Sequence, residues 1–135
     1  MAKLLGARKE AILQAFDETG AAVEEYRALF TTRALADAES RIGKSMSLVL
    51  MGFSTGKSGV RELALILQAG MEAERRAADA GGDPVSYEDA CDVLDMVGLT
   101  PAAEMIGDAV TAVLQYGIKK DTAPETQAEA DPEKN

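Results

Sequence analysis

The chain has 135 residues, a formal net charge of −9, one cysteine and no histidine or tryptophan. This length suits a single domain with a modest core. The absence of histidine excludes Ser-His-Asp and Cys-His catalytic arrangements, and it leaves almost only carboxylates to hold a zinc ion. The negative charge disfavours nucleic acid as a partner, because binding to phosphates needs a basic surface.

The sequence shows no sign of a secreted or membrane protein. Its first residues, MAKLLGARKEA, lack the long apolar core of a signal peptide. No apolar run approaches the length that spans a bilayer. The lone Cys91 has no partner for an internal disulfide, which fits a reducing compartment. We therefore expect a soluble, cytoplasmic protein.

The N-terminal third begins with a predicted helix over residues 7–17, closed by Thr19 and Gly20. The apolar residues at helical spacing are Ala11, Ile12, Ala15 and Phe16. Residues 26–30 fit either a strand or the end of a helix, because such a short apolar run has no decisive period. A further helix is predicted to begin at a Thr31 or Thr32 cap and to end at Gly43.

The central part holds a short apolar segment, residues 46–51, and then a stretch rich in glycine and serine, residues 52–59. The latter composition predicts a mobile loop. The next helix is predicted to be capped by Ser58 and to run to about Ala80. One stripe of this helix is apolar and is expected to face a core or a partner; it consists of Val60, Leu63, Leu67 and Met71.

Two more helices are predicted after the Gly/Pro break at residues 80–84. Ser86 and Asp89 form a capping-box variant that opens the first of them, which ends at Gly98. Thr100 and Pro101 open the second. Residues 118–135 contain almost no large apolar residue and predict a disordered tail. The sequence thus predicts an all-α fold of about five helices in residues 1–117, with a short β element at the N-terminus as the alternative.

The segment GFSTGKS resembles a phosphate-binding loop at Gly56, Lys57 and Ser58. A Walker A loop requires its first glycine five residues before Gly56, and Met51 stands there. Gly52 leaves only three intervening residues instead of four. A mobile loop is therefore the preferred interpretation, and a small nucleotide-binding protein is kept as an alternative function.

An acidic face is predicted on the helix that Ser86 opens. Between residues 77 and 118 the chain contains eight acidic residues and no lysine or arginine. Glu88, Asp92 and Asp95 fall on the helix surface opposite the apolar stripe, and we call these three residues the acidic face. It is either a solvated surface that aids solubility or a docking surface for a basic partner.

The order of these motifs resembles the tail assembly chaperones of long-tailed phages and phage-like gene transfer agents. The similarity covers residues 31–115 and rests on three motifs. They are Thr32, Ala34, Leu35 and Glu39 leading into Gly43-Lys44-Ser45; RELALILQAGM at residues 61–71; and Ser86, Glu88, Asp89 and Ala90. Many members of the group carry a small N-terminal β-hairpin, where this sequence predicts a helix.

The resemblance implies a protein without catalytic activity or cofactor that acts in the cytoplasm of a bacterial host. Its implied partners are the tape measure protein, which it keeps soluble, and tail tube subunits, which it helps to recruit. It would be absent from the finished tail. We expect partner contacts at the apolar stripe or the acidic face, and self-association when the partner is missing. A minor structural component of a virion is the remaining alternative.

Overall fold

The computed structural model describes residues 6–118, within which one β-hairpin precedes five helices. The elements are β1 (Arg8–Phe16), β2 (Ala22–Thr31), α1 (Thr32–Ile42), α2 (Met46–Thr55), α3 (Val60–Ala77), α4 (Tyr87–Val97) and α5 (Leu99–Leu114). The tail predicted for residues 118–135 lies outside the described residues, except for Ile118.

The prediction of an all-α fold is wrong, because the N-terminal residues form an antiparallel two-stranded sheet. Ala11, Leu13 and Ala15 alternate along β1 and are at most 3% exposed. Ile12 and Phe16, which the helical interpretation placed on the same stripe, are 36% and 57% exposed. The true period of the segment is therefore two, the period of a strand with one buried face.

The hairpin turn consists of residues that the sequence predicts as a helix end. The carboxylate of Asp17 accepts hydrogen bonds from the backbone N–H groups of Thr19 and Ala21. Gly20 adopts a φ of 87°, a left-handed conformation that glycine reaches without steric cost. The undecided segment at residues 26–30 is the core-facing part of β2, where Ala28 and Phe30 are fully buried.

The helices cover one face of the hairpin. α3 packs against β2 and α5 packs against β1, while α1 and α4 both pack against α3. The predicted caps of two helices are confirmed. Thr31 Oγ1 accepts the N–H of Ala34 at 3.1 Å at the start of α1, and Ser86 and Asp89 exchange hydrogen bonds at the start of α4.

The predicted central loop is wrong in its first half. Residues 52–55 continue α2, which ends at Gly56 with a φ of 78°. The connection to α3 is therefore short, and Gly59 rather than Ser58 occupies the N-cap position of α3. The carboxylate of Glu62 accepts the N–H of Gly59 at 2.9 Å and holds the start of α3 in place.

The Gly/Pro connection between α3 and α4 is tied to α3 by Glu72. Its carboxylate accepts hydrogen bonds from Arg75 Nε at 2.9 Å and from the backbone N–H of Val85 at 2.9 Å. The Arg75 hydrogen bonds are the largest cause that holds the pKa of Glu72 at about 2 instead of its ordinary 4.5. Gln68 Nε2 adds a bond to the Val85 carbonyl at 3.1 Å.

Candidate functional site

The apolar stripe predicted on α3 divides between the core and the surface. Leu67 is fully buried and Leu63 is 3% exposed, so both belong to the core of the chain itself. Met71 is partly buried and packs against that core. Val60, at the first turn of α3, is 53% exposed. Of the four residues, only Val60 offers much of its side chain to a partner.

Val60 forms the edge of an open groove where three helices meet. The groove lies between the C-terminal end of α2 and the N-terminal ends of α3 and α5, and its volume is about 440 Å³. We call it the helix groove and define it by its apolar lining: Phe53, Val60, Leu63, Leu99 and Ala103. Its polar lining residues are Ser54, Ser58, Thr100 and Glu104. The groove thus presents aliphatic and aromatic carbon together with three hydroxyl groups and one carboxylate.

The wall that α2 contributes is fixed by a close contact with the following loop. Ser58 Oγ donates a hydrogen bond to the Val49 carbonyl at 2.8 Å. Gly52 faces this hydroxyl so closely that any side chain at residue 52 would overlap Ser58 Oγ. Glycine at this position therefore lets the loop fold back onto α2, which brings Val60 beside Phe53.

The same contacts determine what GFSTGKS can do. The N–H groups of Gly56, Lys57 and Ser58 all point to one acceptor, the carbonyl of Gly52. A phosphate-binding loop needs these N–H groups free to surround an anion. In addition, a phosphate-binding loop follows a β-strand, whereas residues 48–51, which precede this segment, lie inside α2. The segment is a helix C-terminus with a short connection and lacks the geometry of a phosphate loop.

The acidic face lies on the solvent side of α4, as the sequence predicts. Glu88, Asp92 and Asp95 are exposed. On the opposite side of the helix, Ala90, Val93 and Leu94 are buried. Met96 lies one helical turn after Asp92 and is 55% exposed, so an apolar side chain lies beside that carboxylate.

A second exposed surface was not predicted from the sequence. α2 buries Met46, Val49 and Gly52 but leaves Leu48 58% exposed and Met51 62% exposed. These two side chains line a depression of about 310 Å³ together with Lys44, Thr55 and Lys57. We call Lys44, Leu48, Met51 and Lys57 the basic apolar face. The sequence contains one indication of this basic face, because residues 40–61 contain four basic residues and no acidic one.

The described part of the chain contains neither a candidate metal-ion site nor a single helix that could span a membrane. Within residues 6–118 no three acidic or cysteine side chains cluster in a way that could hold a metal ion. No single helix in this range is long and apolar enough to cross a bilayer. α4 and α5 reach that length and hydropathy only together, and they are bent by 113° relative to each other.

The chain matches no protein-family model, no curated protein and no solved structure. What the protein does must therefore be argued from the helix groove, the acidic face and the basic apolar face.

Proposed function

We propose that this protein is a non-catalytic chaperone of phage tail assembly that holds helical segments of the tape measure protein in its helix groove. The observation that carries the proposal is the groove itself. It is open to solvent, and most of its lining surface is apolar. An amphipathic helix binds such a surface by inserting side chains that recur every three or four residues. The proposed site of action is the cytoplasm of a bacterial host.

The polar groups around the helix groove argue for a polypeptide over a small substrate. Small-molecule sites usually combine an apolar enclosure with several convergent polar groups. Here Glu104 is the one ionisable residue of the lining, the other polar side chains are the hydroxyl groups of Ser54, Ser58 and Thr100, and the Ser58 hydroxyl already donates to the Val49 carbonyl. The helix groove thus offers apolar area for a row of side chains from a bound helix. It has few charged groups that would orient a reacting molecule.

The β-hairpin also supports the proposal. The sequence resembles a group of chaperones in which many members carry a small N-terminal hairpin. In this chain β1 and β2 form such an element and cover α3 and α5. The N-terminal hairpin of this chain is therefore a further feature that it shares with many members of that group.

The charge of the protein fits the task of keeping an aggregation-prone partner in solution. The net charge is −9, and the carboxylates of the acidic face point to solvent. A strongly charged exterior keeps a complex soluble through mutual repulsion. The acidic face is also available to a basic partner, and we propose that it helps to recruit tail tube subunits.

Co-expression with the tape measure protein tests the proposal. We expect the wild-type chaperone to keep the tape measure protein in the soluble fraction and to co-purify with it. Val60→Glu and Leu99→Glu place a charge in the helix groove at side chains that are 53% and 46% exposed. Both variants should fold and lose the soluble complex, because burying an unpaired carboxylate is costly.

Val23→Glu is the matched control, since Val23 is 59% exposed on the hairpin, outside the groove. It should behave as wild type. Loss of the complex in the control alone, or an unchanged complex in both groove variants, would contradict the proposed site. The protein should also be missing from purified tails; its presence there in stoichiometric amounts would favour a structural component of the virion.

A further inference from the structure

The basic apolar face on α2 combines two exposed apolar side chains with two lysines. Leu48 and Met51 are more than half exposed, and Lys44 and Lys57 flank them across the same depression. Exposed apolar area with a charged border is typical of a protein–protein contact. The two lysines select a partner that carries carboxylates beside an apolar side chain.

The chain itself carries a surface of that chemistry. On α4, Met96 lies one helical turn beyond Asp92 and directly after Asp95, and it is 55% exposed. Residues 77–118 contain no basic residue that would compensate these carboxylates. An acidic apolar helix surface and a basic apolar helix surface thus occur on different elements of one molecule.

We infer that a second copy of this chain docks its α4 on the basic apolar face of α2. Met96 of one copy packs against Leu48 and Met51 of the other. Asp92 and Asp95 lie opposite Lys44 and Lys57. This inference deepens the proposed function, on which it rests, because it assigns named surfaces outside the helix groove to the self-association expected of the chaperone.

The contact is heterologous, since the two surfaces differ. After one contact forms, one copy still has a free basic apolar face and the other still has a free α4 surface, so further copies add in the same way to form a ring or an open chain. α2 and α4 have 10 and 11 residues, which gives helices of about 15 Å. One such contact buries a small area, so association should be weak and strongly concentration-dependent.

Two charge-reversed variants test the pairing by sedimentation velocity. The first is Lys44→Glu with Lys57→Glu, and the second is Asp92→Lys with Asp95→Lys. In each variant alone the two surfaces carry the same charge, so its association should be at least about tenfold weaker than that of the wild type. In an equimolar mixture every contact between unlike copies is again complementary, and association should return.

A control and a salt series separate specific pairing from general repulsion. Lys9→Glu with Arg33→Glu changes the net charge as the first variant does, at exposed residues of β1 and α1, and should associate like wild type. Raising the salt from about 50 mM to about 500 mM should weaken the association of the unmodified chain, because it screens exposed charges.

Three results would overturn the inference: a wild type that stays monomeric at low salt, charge-reversed variants that associate like wild type, or a mixture that associates no more than its components. All of these measurements use the protein without a client. A failure therefore leaves the solubility of the tape measure protein as a separate result. Conversely, intact self-association with no client binding would count against the proposed function alone.

Discussion

Gly70 of α3 lies directly against the ring of Phe30 in β2. A Cβ built on Gly70 would fall 2.6 Å from Phe30 Cε1 and 3.0 Å from the Cβ of Ala28. Phe30 and Ala28 are fully buried, so neither has room to move aside. The absence of a side chain at residue 70 is what lets α3 approach the hairpin closely enough to cover it.

Gly70→Ala should therefore destabilise the protein by about 1–3 kcal/mol through overpacking, although alanine favours a helix. Gly107→Ala is the matched control in α5, because nothing lies within 4 Å of the added Cβ. It should stabilise by up to about 1 kcal/mol. Urea denaturation of both variants provides the measurement, and a Gly70→Ala protein as stable as wild type would refute the close packing.

Glu72→Gln should loosen the connection between α3 and α4. The change weakens charge-assisted bonds to Arg75 and to the Val85 N–H, at a cost of about 1–3 kcal/mol. The pKa of Glu72 is lowered to about 2 in the folded state from an ordinary 4.5. Its contribution to stability is thus present above the unfolded pKa and is lost as the pH falls from about 4.5 toward 2.

Urea denaturation at about pH 7 and about pH 3 tests this pH dependence. The difference in the free energy of unfolding between wild type and Glu72→Gln should be smaller at the lower pH. Glu18→Gln, at an exposed residue of the hairpin turn, serves as control and should show a negligible effect at both. A Glu72 difference that stays constant with pH would show that the carboxylate is not held by these bonds.

Ser58→Ala should release the C-terminal end of α2. The change leaves the Val49 carbonyl without the hydroxyl that lies 2.8 Å away, at a cost of about 1 kcal/mol. Amide hydrogen exchange in α2 should accelerate. Ser54→Ala, at an exposed residue of the same helix, should leave the exchange unchanged, and equal protection in both variants would contradict the anchoring role.

Magnesium with ATP or GTP should leave the melting temperature unchanged. A ligand that binds only the folded state raises its stability in proportion to RT ln(1 + [L]/Kd). The N–H groups of Lys57 and Ser58 are bonded to the Gly52 carbonyl, so no phosphate cradle is open. A rise in melting temperature that Lys57→Ala abolishes would restore the nucleotide-binding alternative.

Features encoded by neighbouring residues could be predicted from the sequence. The Thr31 cap, the Ser86–Asp89 capping box and the left-handed Gly43 each depend on residues within one helical turn. The exposed position of the acidic face follows from the period of α4 alone. These parts of the fold and of the surface needed no knowledge of the tertiary structure.

Features that depend on distant contacts could not be predicted. The segment around Leu13 contains apolar residues that satisfy both a helical and an alternating period, and the pairing with β2 under α3 decides between them. The exposure of Leu48 and Met51 likewise depends on how α2 docks through Met46 and Val49. The sequence shows only that residues 46–51 form a short apolar segment.

Hydrogen–deuterium exchange of the protein with and without a tape measure helix tests the central claim most directly. If the helix groove holds the client, binding should protect the amides of residues 53–63 and 99–104, which contain its lining, and leave the hairpin turn at residues 17–21 unchanged. Protection confined to other parts of the chain, or no protection at a client concentration that saturates binding, would contradict the account.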